Sequence, residues 1–190
     1  NRVLTNVNLP ICSVNMFRAD GATQGRCRMA SKLKEKVYGF AASDIHGFSP
    51  VQNDQAGHRI AIVEDNDWDY TMLKHMLERS NLPVASLERF ESIDELLQFD
   101  PEAFDVVVLD RYLPLSGLSE TRIKEVRARF RNCGVLIHTG HITHSLRSAA
   151  AHQGAVAVVE KGGLDEKALA LLVETAAVVG PTIHMPGEMH

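Results

Sequence analysis

Phe104 to Gly117 reads FDVVVLDRYLPLSG, and this stretch decides the fold. Val106, Val107, Val108 and Leu109 form a short, β-branched, uninterrupted apolar run. Such a run fits a central strand buried on both faces, the kind found in parallel sheets. Asp110 follows where the backbone leaves the sheet, and Leu113-Pro114 and Gly117 then turn the chain. In an open α/β sheet, ligands sit outside the carboxyl ends of the strands. Asp110 is therefore a carboxylate held on a rigid strand end. Taken by itself, it reads more simply as a turn cap.

Outward from this strand, strand and helix patterns alternate. Arg59–Val63, Val84–Phe90, Cys133–His138 and Ala155–Val159 read as the other strands, with Val84–Phe90 the least apolar and so placed near an edge. Asp67 to Arg79 carries Trp68, Met72, Leu73, Met76 and Leu77 at helical spacing, with Asn66 as its cap and Trp68 expected to pack beside the acidic pair Glu64-Asp65. Ser92, followed by Glu95, is the capping box of a short helix. Ser119–Arg131 reads as a helix with Ile123, Val126 and Phe130 inward and a basic outer face of Arg122, Lys124, Arg127, Arg129 and Arg131. Thr143–His152 and Asp165–Val179 are the last two helices, and Gly180-Pro181 closes the series. Five βα units predict one doubly wound α/β domain with right-handed crossovers and helices on both faces.

The chain divides at about residue 57. From Asn1 to Arg59 there are eight Lys/Arg against four acids, so a net charge of −4 for all 190 residues separates into +4 here and −8 beyond. Residues 1–57 read as an irregular, mobile, basic extension, in which Ser31–Ala42 has the pattern of a short basic helix. Arg26, Arg28, Lys32, Lys34 and Lys36 read first as a solvated arm and second as a contact to an acidic partner or phosphate backbone. Residues 58–180 are the domain, and 181–190 a tail without a clear element. Three cysteines without a CxxC pair suit a reducing compartment. No stretch has the length of a membrane span and no signal-peptide pattern opens the chain, so a cytoplasmic protein without membrane contact is expected.

The chemistry gathers at the strand ends. Glu64 and Asp65 follow the first strand, Asp110 the third, Thr139 and Gly140 the fourth, and Glu160, Lys161 and Gly162-Gly163 the fifth. Three clustered carboxylates repel one another and call for a divalent cation, and hard oxygen ligands suit Mg²⁺. A central carboxylate can attack a phosphoryl group while the metal offsets both charges. Lys161 can pair with Asp110 or a phosphoryl oxygen, and Thr139 can donate to another. These are the parts of a phosphoryl-transfer site.

IAIVEDND (Ile60–Asp67), VVVLDRYLP (Val106–Pro114), LIHTG (Leu136–Gly140) and VVEKGG (Val158–Gly163) together make residues 58–180 resemble a receiver domain of the two-component response-regulator family. The resemblance implies a flavodoxin-like (βα)₅ fold with strand order 2-1-3-4-5. It implies that Asp110 accepts a phosphoryl group from phosphohistidine on a histidine kinase or histidine phosphotransfer protein. Glu64, Asp65, Asp110 and the backbone carbonyl of Tyr112 would hold Mg²⁺, and Thr139 and Lys161 would grip the phosphoryl oxygens. A stand-alone regulator that changes its binding to a downstream protein is expected, and not a classified enzyme. The face of the fourth helix, fifth strand and fifth helix would be its homodimer surface, and nucleic acid is not expected as a partner.

Three places depart from the family's pattern. Val158 stands where many members carry Tyr or Phe, which puts the usual readout behind Thr139 in question. Tyr112 and His141 border the water path to the phosphoryl group, and their bulk predicts slow loss of it. His138, His141 and His144 alternate across a strand, so a zinc site is not expected from them. Two other classes compete. One is a receiver-like interaction module that is never phosphorylated. The other is an aspartyl-phosphate hydrolase of the haloacid-dehalogenase type, which wants an Asp where Tyr112 stands. A dinucleotide-binding enzyme lacks its GxGxxG after the first strand.

Overall fold

The computed structural model describes residues 37–39 and 57–183. Five parallel strands form the sheet: β2 (His58–Val63), β3 (Val84–Phe90), β4 (Val106–Asp110), β7 (Gly134–Thr139) and β8 (Ala157–Glu160). Their order is β3-β2-β4-β7-β8, the expected 2-1-3-4-5 arrangement. β3 is the edge that its weaker apolar pattern predicted. A sixth strand, β1 (Val37–Gly39), pairs antiparallel on the outer edge of β8, with Val37 opposite Val159 and Gly39 opposite Ala157. This corrects the reading of Ser31–Ala42 as a helix over the three residues of that stretch that are described. An open strand edge is a row of unpaired backbone groups, and β1 satisfies those of β8. The rest of the stretch, and the basic residues Arg26 to Lys36, lie outside the described residues.

Alternation along the strands divides the core in two. Ala61, Val63, Val107, Leu109, Val135, Ile137 and Val158 face one side, packed with Ile93, Leu96, Ile123, Val126, Phe130, Leu146 and Ala150. These come from α2 (Ile93–Leu96), α3 (Ile123–Arg129) with Phe130 just after it, and α4 (His144–His152). Ile60, Ile62, Val106, Val108, Leu136, Ala157 and Val159 face the other, against Leu73 and Leu77 of α1 (Asp67–Arg79) and Leu169, Leu172, Val173 and Ala176 of α5 (Glu166–Val179). All five residues of β4 are buried, as a strand covered on both faces requires. Among the described residues no helix is long and apolar enough to cross a membrane.

Caps fix where the helices begin. Asn66 accepts from the amides of Trp68 and Asp69, Thr143 from that of Leu146, and Asp165 from that of Ala168. Ser92 accepts from the Glu95 amide at 3.2 Å, but the Glu95 carboxylate accepts from the Glu91 amide rather than from Ser92, so the capping box closes one residue early.

Two helix expectations change. Ser119–Arg131 is a 3₁₀ turn over Ser119–Thr121 followed by α3, a split that coincides with a tether on the turn. Ser119 is tied to the strand end, its hydroxyl donating to the Asp110 carbonyl and its amide to the Arg111 carbonyl at 3.0 Å. Arg127 does not belong to the basic outer face. It is buried and donates to the carbonyls of Cys133, Gly180 and Ile183 at 2.9–3.0 Å, which binds the end of α5 to the start of β7. On α1, Trp68 is 71% exposed and Met72 44%, so only Leu73 and Leu77 of its apolar residues are fully buried, with Met76 partly so.

Candidate phosphoryl-transfer site

β2, β4, β7 and β8 deliver their last residues to one edge of the sheet. Register places Val63 beside Leu109, Asp110 beside His138, and Thr139 beside Glu160. Glu64, Asp65 and Asp110 each offer a carboxylate oxygen, and these oxygens lie within 4.8 Å of one another. Glu64 and Asp110 are buried and Asp65 is exposed. Among the described residues this is the group of acids and histidines that converges. His138, His141 and His144 are not part of it.

Lys161 answers the negative charge. Its ammonium lies 2.8 Å from Glu64 Oε2, 2.8 Å from Asp110 Oδ1 and 2.7 Å from Asp69 Oδ2. Burial alone would lower its pKa, but hydrogen bonds to Asp110, Asp69 and Glu64 hold it above the ordinary lysine range. Glu64 is pushed up: burial and the charge of Asp110 outweigh the bond from Lys161. Both groups are raised, and a buried carboxylate whose charged form is disfavoured is what a cation would relieve.

Asp110 is fixed at both oxygens. Lys161 holds Oδ1 and the Tyr112 amide donates to Oδ2 at 3.0 Å. After it, Tyr112–Leu113 (β5) and Gly117–Leu118 (β6) form a small hairpin. Gly117 has φ +74°, a conformation that L side chains rarely adopt. Arg111 anchors the hairpin's base with two bonds of 2.9–3.1 Å to the buried carboxylate of Glu120. Thr139 is 5% exposed, its hydroxyl against the backbone of His141. The Lys161 amide donates to the Thr139 carbonyl at 2.7 Å, which ties the two strand ends together. Gly162, at φ +69°, turns the chain immediately after Lys161.

Two residues of the site were not foreseen in the sequence. Asp69 looks there like an ordinary first-turn helix acid. Arg89, in β3, looks like a solvated edge charge. Its guanidinium donates to the carbonyls of Glu64 and Asp65 at 3.0 Å each and to the Asp67 carboxylate at 2.6 Å, and lies 4.9 Å from the Tyr70 ring centre. It therefore grips the loop that carries the acidic pair. Asn66 capping shows that the turn is rigid, but no sequence pattern gives the cross-sheet contact. Val158 is 2% exposed and belongs to the core beneath α2, α3 and α4.

This arrangement is that of a known class. The profile of the response regulator receiver domain matches residues 60–174. The chain belongs to that family, and it carries the receiver domain of a two-component response regulator. Solved structures agree on the fold. The beryllofluoride-activated NtrC4 receiver domain dimer is 21% identical, with a TM-score of 0.56 over 64% of this chain and 98% of that one. A putative response regulator from Chloroflexus aurantiacus is 24% identical, also at 0.56, over 64% and 98%. FixJ from B. japonicum is 26% identical at 0.55, over 67% of this chain and 60% of that one. No curated protein sequence matches the chain. A receiver domain implies interaction with a phosphodonor histidine kinase or phosphotransfer protein.

Proposed function

We propose that Asp110 is the phosphoacceptor of a relay, and that its phosphorylation changes which protein this chain binds. One observation carries this reading: Asp110 is held at both oxygens between Lys161 and the Tyr112 amide, with the carboxylates of Glu64 and Asp65 converging beside it. An Asp110 oxygen attacks the phosphorus of a phosphohistidine. The phosphorus–nitrogen bond breaks, and the imidazole nitrogen keeps the electron pair. Lys161 and the Thr139 hydroxyl then meet the phosphoryl oxygens.

Glu64, Asp65 and Asp110 form a set of hard oxygen donors that fits Mg²⁺, with the Tyr112 carbonyl as a further ligand. Mg²⁺ bound there would offset the charge of the carboxylates and of the entering phosphoryl group. Around the site, Trp68, Tyr112 and Leu115 are 71%, 71% and 77% exposed, an apolar rim suited to docking the phosphodonor. Leu171 and Val178 of α5, 51% and 44% exposed, offer an apolar stripe for a second copy or a downstream protein, beside the β8 edge that β1 covers. The cytosol is where such a donor would be met.

The test is intact-protein mass after incubation with Mg²⁺ and acetyl phosphate. One added phosphoryl group is expected, absent in Asp110→Ala and in EDTA. No adduct from acetyl phosphate or from a cognate kinase would overturn the reading and leave an interaction module that is never phosphorylated.

A further inference from the structure

An ammonium group has three N–H donors and no more. In this structure Glu64 and Asp69 each accept one from Lys161, and Asp110 lies in ion-pair contact with it at 2.8 Å. A phosphoryl group on Asp110 therefore brings new anionic oxygens to an ammonium that Glu64 and Asp69 already share, and competes with them for it.

The two acceptors differ in what release costs. The side chain of Glu64 is 4% exposed. A carboxylate so buried that loses its cation remains desolvated, which is expensive. The Asp69 side chain is 33% exposed, so water can take the place of Lys161 there. Asp69 also stands outside the group of converging acids, and so is not engaged by a cation held among them. Its backbone is fixed, because Asn66 accepts its amide at 3.1 Å in the capped first turn of α1. Asp69 is thus rigidly placed and cheaply released.

We propose that Asp69 is a positioning residue that holds one N–H of Lys161 and competes for it with a phosphoryl group on Asp110. This rests on the phosphoacceptor reading above. Asp69 stabilises the unphosphorylated arrangement and competes with the phosphorylated one, so its charge sets how readily Asp110 enters and leaves the modified state. Removing that charge favours the state in which Lys161 holds the phosphoryl oxygens.

The experiment compares the full chain with Asp69→Asn and Glu160→Gln. Glu160 precedes Lys161 at the end of β8 and is not among the carboxylates that contact its ammonium. Its neutralisation controls for a mere change of local charge. First, calorimetry at saturating Mg²⁺ measures the affinity for beryllofluoride, a phosphoryl mimic. Asp69→Asn is expected to bind it about three- to tenfold more tightly, the worth of one partly exposed charge-assisted hydrogen bond. Glu160→Gln is expected to match the parent protein.

Second, trace acylation of Lys161 with acetic anhydride in EDTA, read by peptide mass, reports how firmly the amine is held without any phosphoryl ligand. Labelling is expected to rise about threefold or more in Asp69→Asn alone. Unchanged labelling, or an equal rise in both variants, overturns the proposal. Raised labelling without tighter beryllofluoride binding overturns the competition while leaving Asp69 a partner of Lys161. If the parent protein binds no beryllofluoride, the phosphoacceptor reading fails, and the competition with it. Labelling still decides whether Asp69 holds Lys161.

Discussion

Replacing His138 with Gln is expected to flatten the acid side of the stability profile. His138 lies at the end of β7, against a small cavity lined also by Leu73, Met76, Val159, Leu164 and Leu169. Burial pushes its imidazole down from 6.5 to about 4, the charge of Lys161 adds to this, and Asp69 opposes it. The unfolded chain therefore takes up a proton near the ordinary value, whereas the folded chain resists until about 4. The unfolded state binds more protons across that window, so stability is full above it and falls as the pH drops through it. A separation of about 2.5 pH units corresponds to about 3 kcal/mol. His138 is partly rather than completely covered, and solvent screening reduces this to about 2 kcal/mol. Urea unfolding of both proteins in EDTA, stepped from about pH 7.5 to about pH 4, measures the difference directly. The stability of His138→Gln relative to the parent should rise by about 2 kcal/mol over the range. Parallel curves would refute the reasoning, because they would mean that His138 titrates alike in the folded and unfolded chain.

Two further outcomes follow from the packing. A Cβ at Gly134 would lie 2.1 Å from the Ala176 carbonyl oxygen and 2.5 Å from its carbon, so Gly134→Ala must drive α5 off the start of β7. A loss of about 3 kcal/mol or more is expected in denaturant unfolding, and a loss under about 1 kcal/mol would show that α5 yields freely. Arg89→Lys keeps the charge but loses the planar fork that grips Glu64 and Asp65. Mg²⁺ affinity, followed by Trp68 fluorescence, should weaken about three- to tenfold. An unchanged Mg²⁺ midpoint would mean that the acidic loop holds its shape without Arg89.

Much of this molecule is legible in its sequence, for a local reason. Each strand is a short apolar run, and the residue that ends it carries the chemistry. Alternation of strand and helix forces a parallel sheet, and a parallel sheet brings its strand ends to one edge. Glu64, Asp65, Asp110, Thr139 and Lys161 could therefore be gathered before any coordinate was known. Caps at Asn66 and Thr143 were legible because they act on amides two or three residues away.

What the sequence left to the tertiary structure depends on contacts between distant segments. Arg127 looks like one more basic residue on a helix, and only the return of Gly180 and Ile183 to the start of β7 supplies the carbonyls that bury it. Trp68 and Met72 share the helical period of Leu73 and Leu77, yet lie beyond the stripe that meets the sheet. β1 forms because β8 leaves an edge open, which no property of Val37–Gly39 announces. Asp69 and Arg89 enter the site from α1 and β3, through side chains that reach Lys161, 92 residues away, and Glu64, 25 residues away. Pattern and propensity act along the chain, over a turn or a pleat. The pairing of a charge with its partner across the fold is decided only when packing brings both to one place and excludes the water that would otherwise keep them apart.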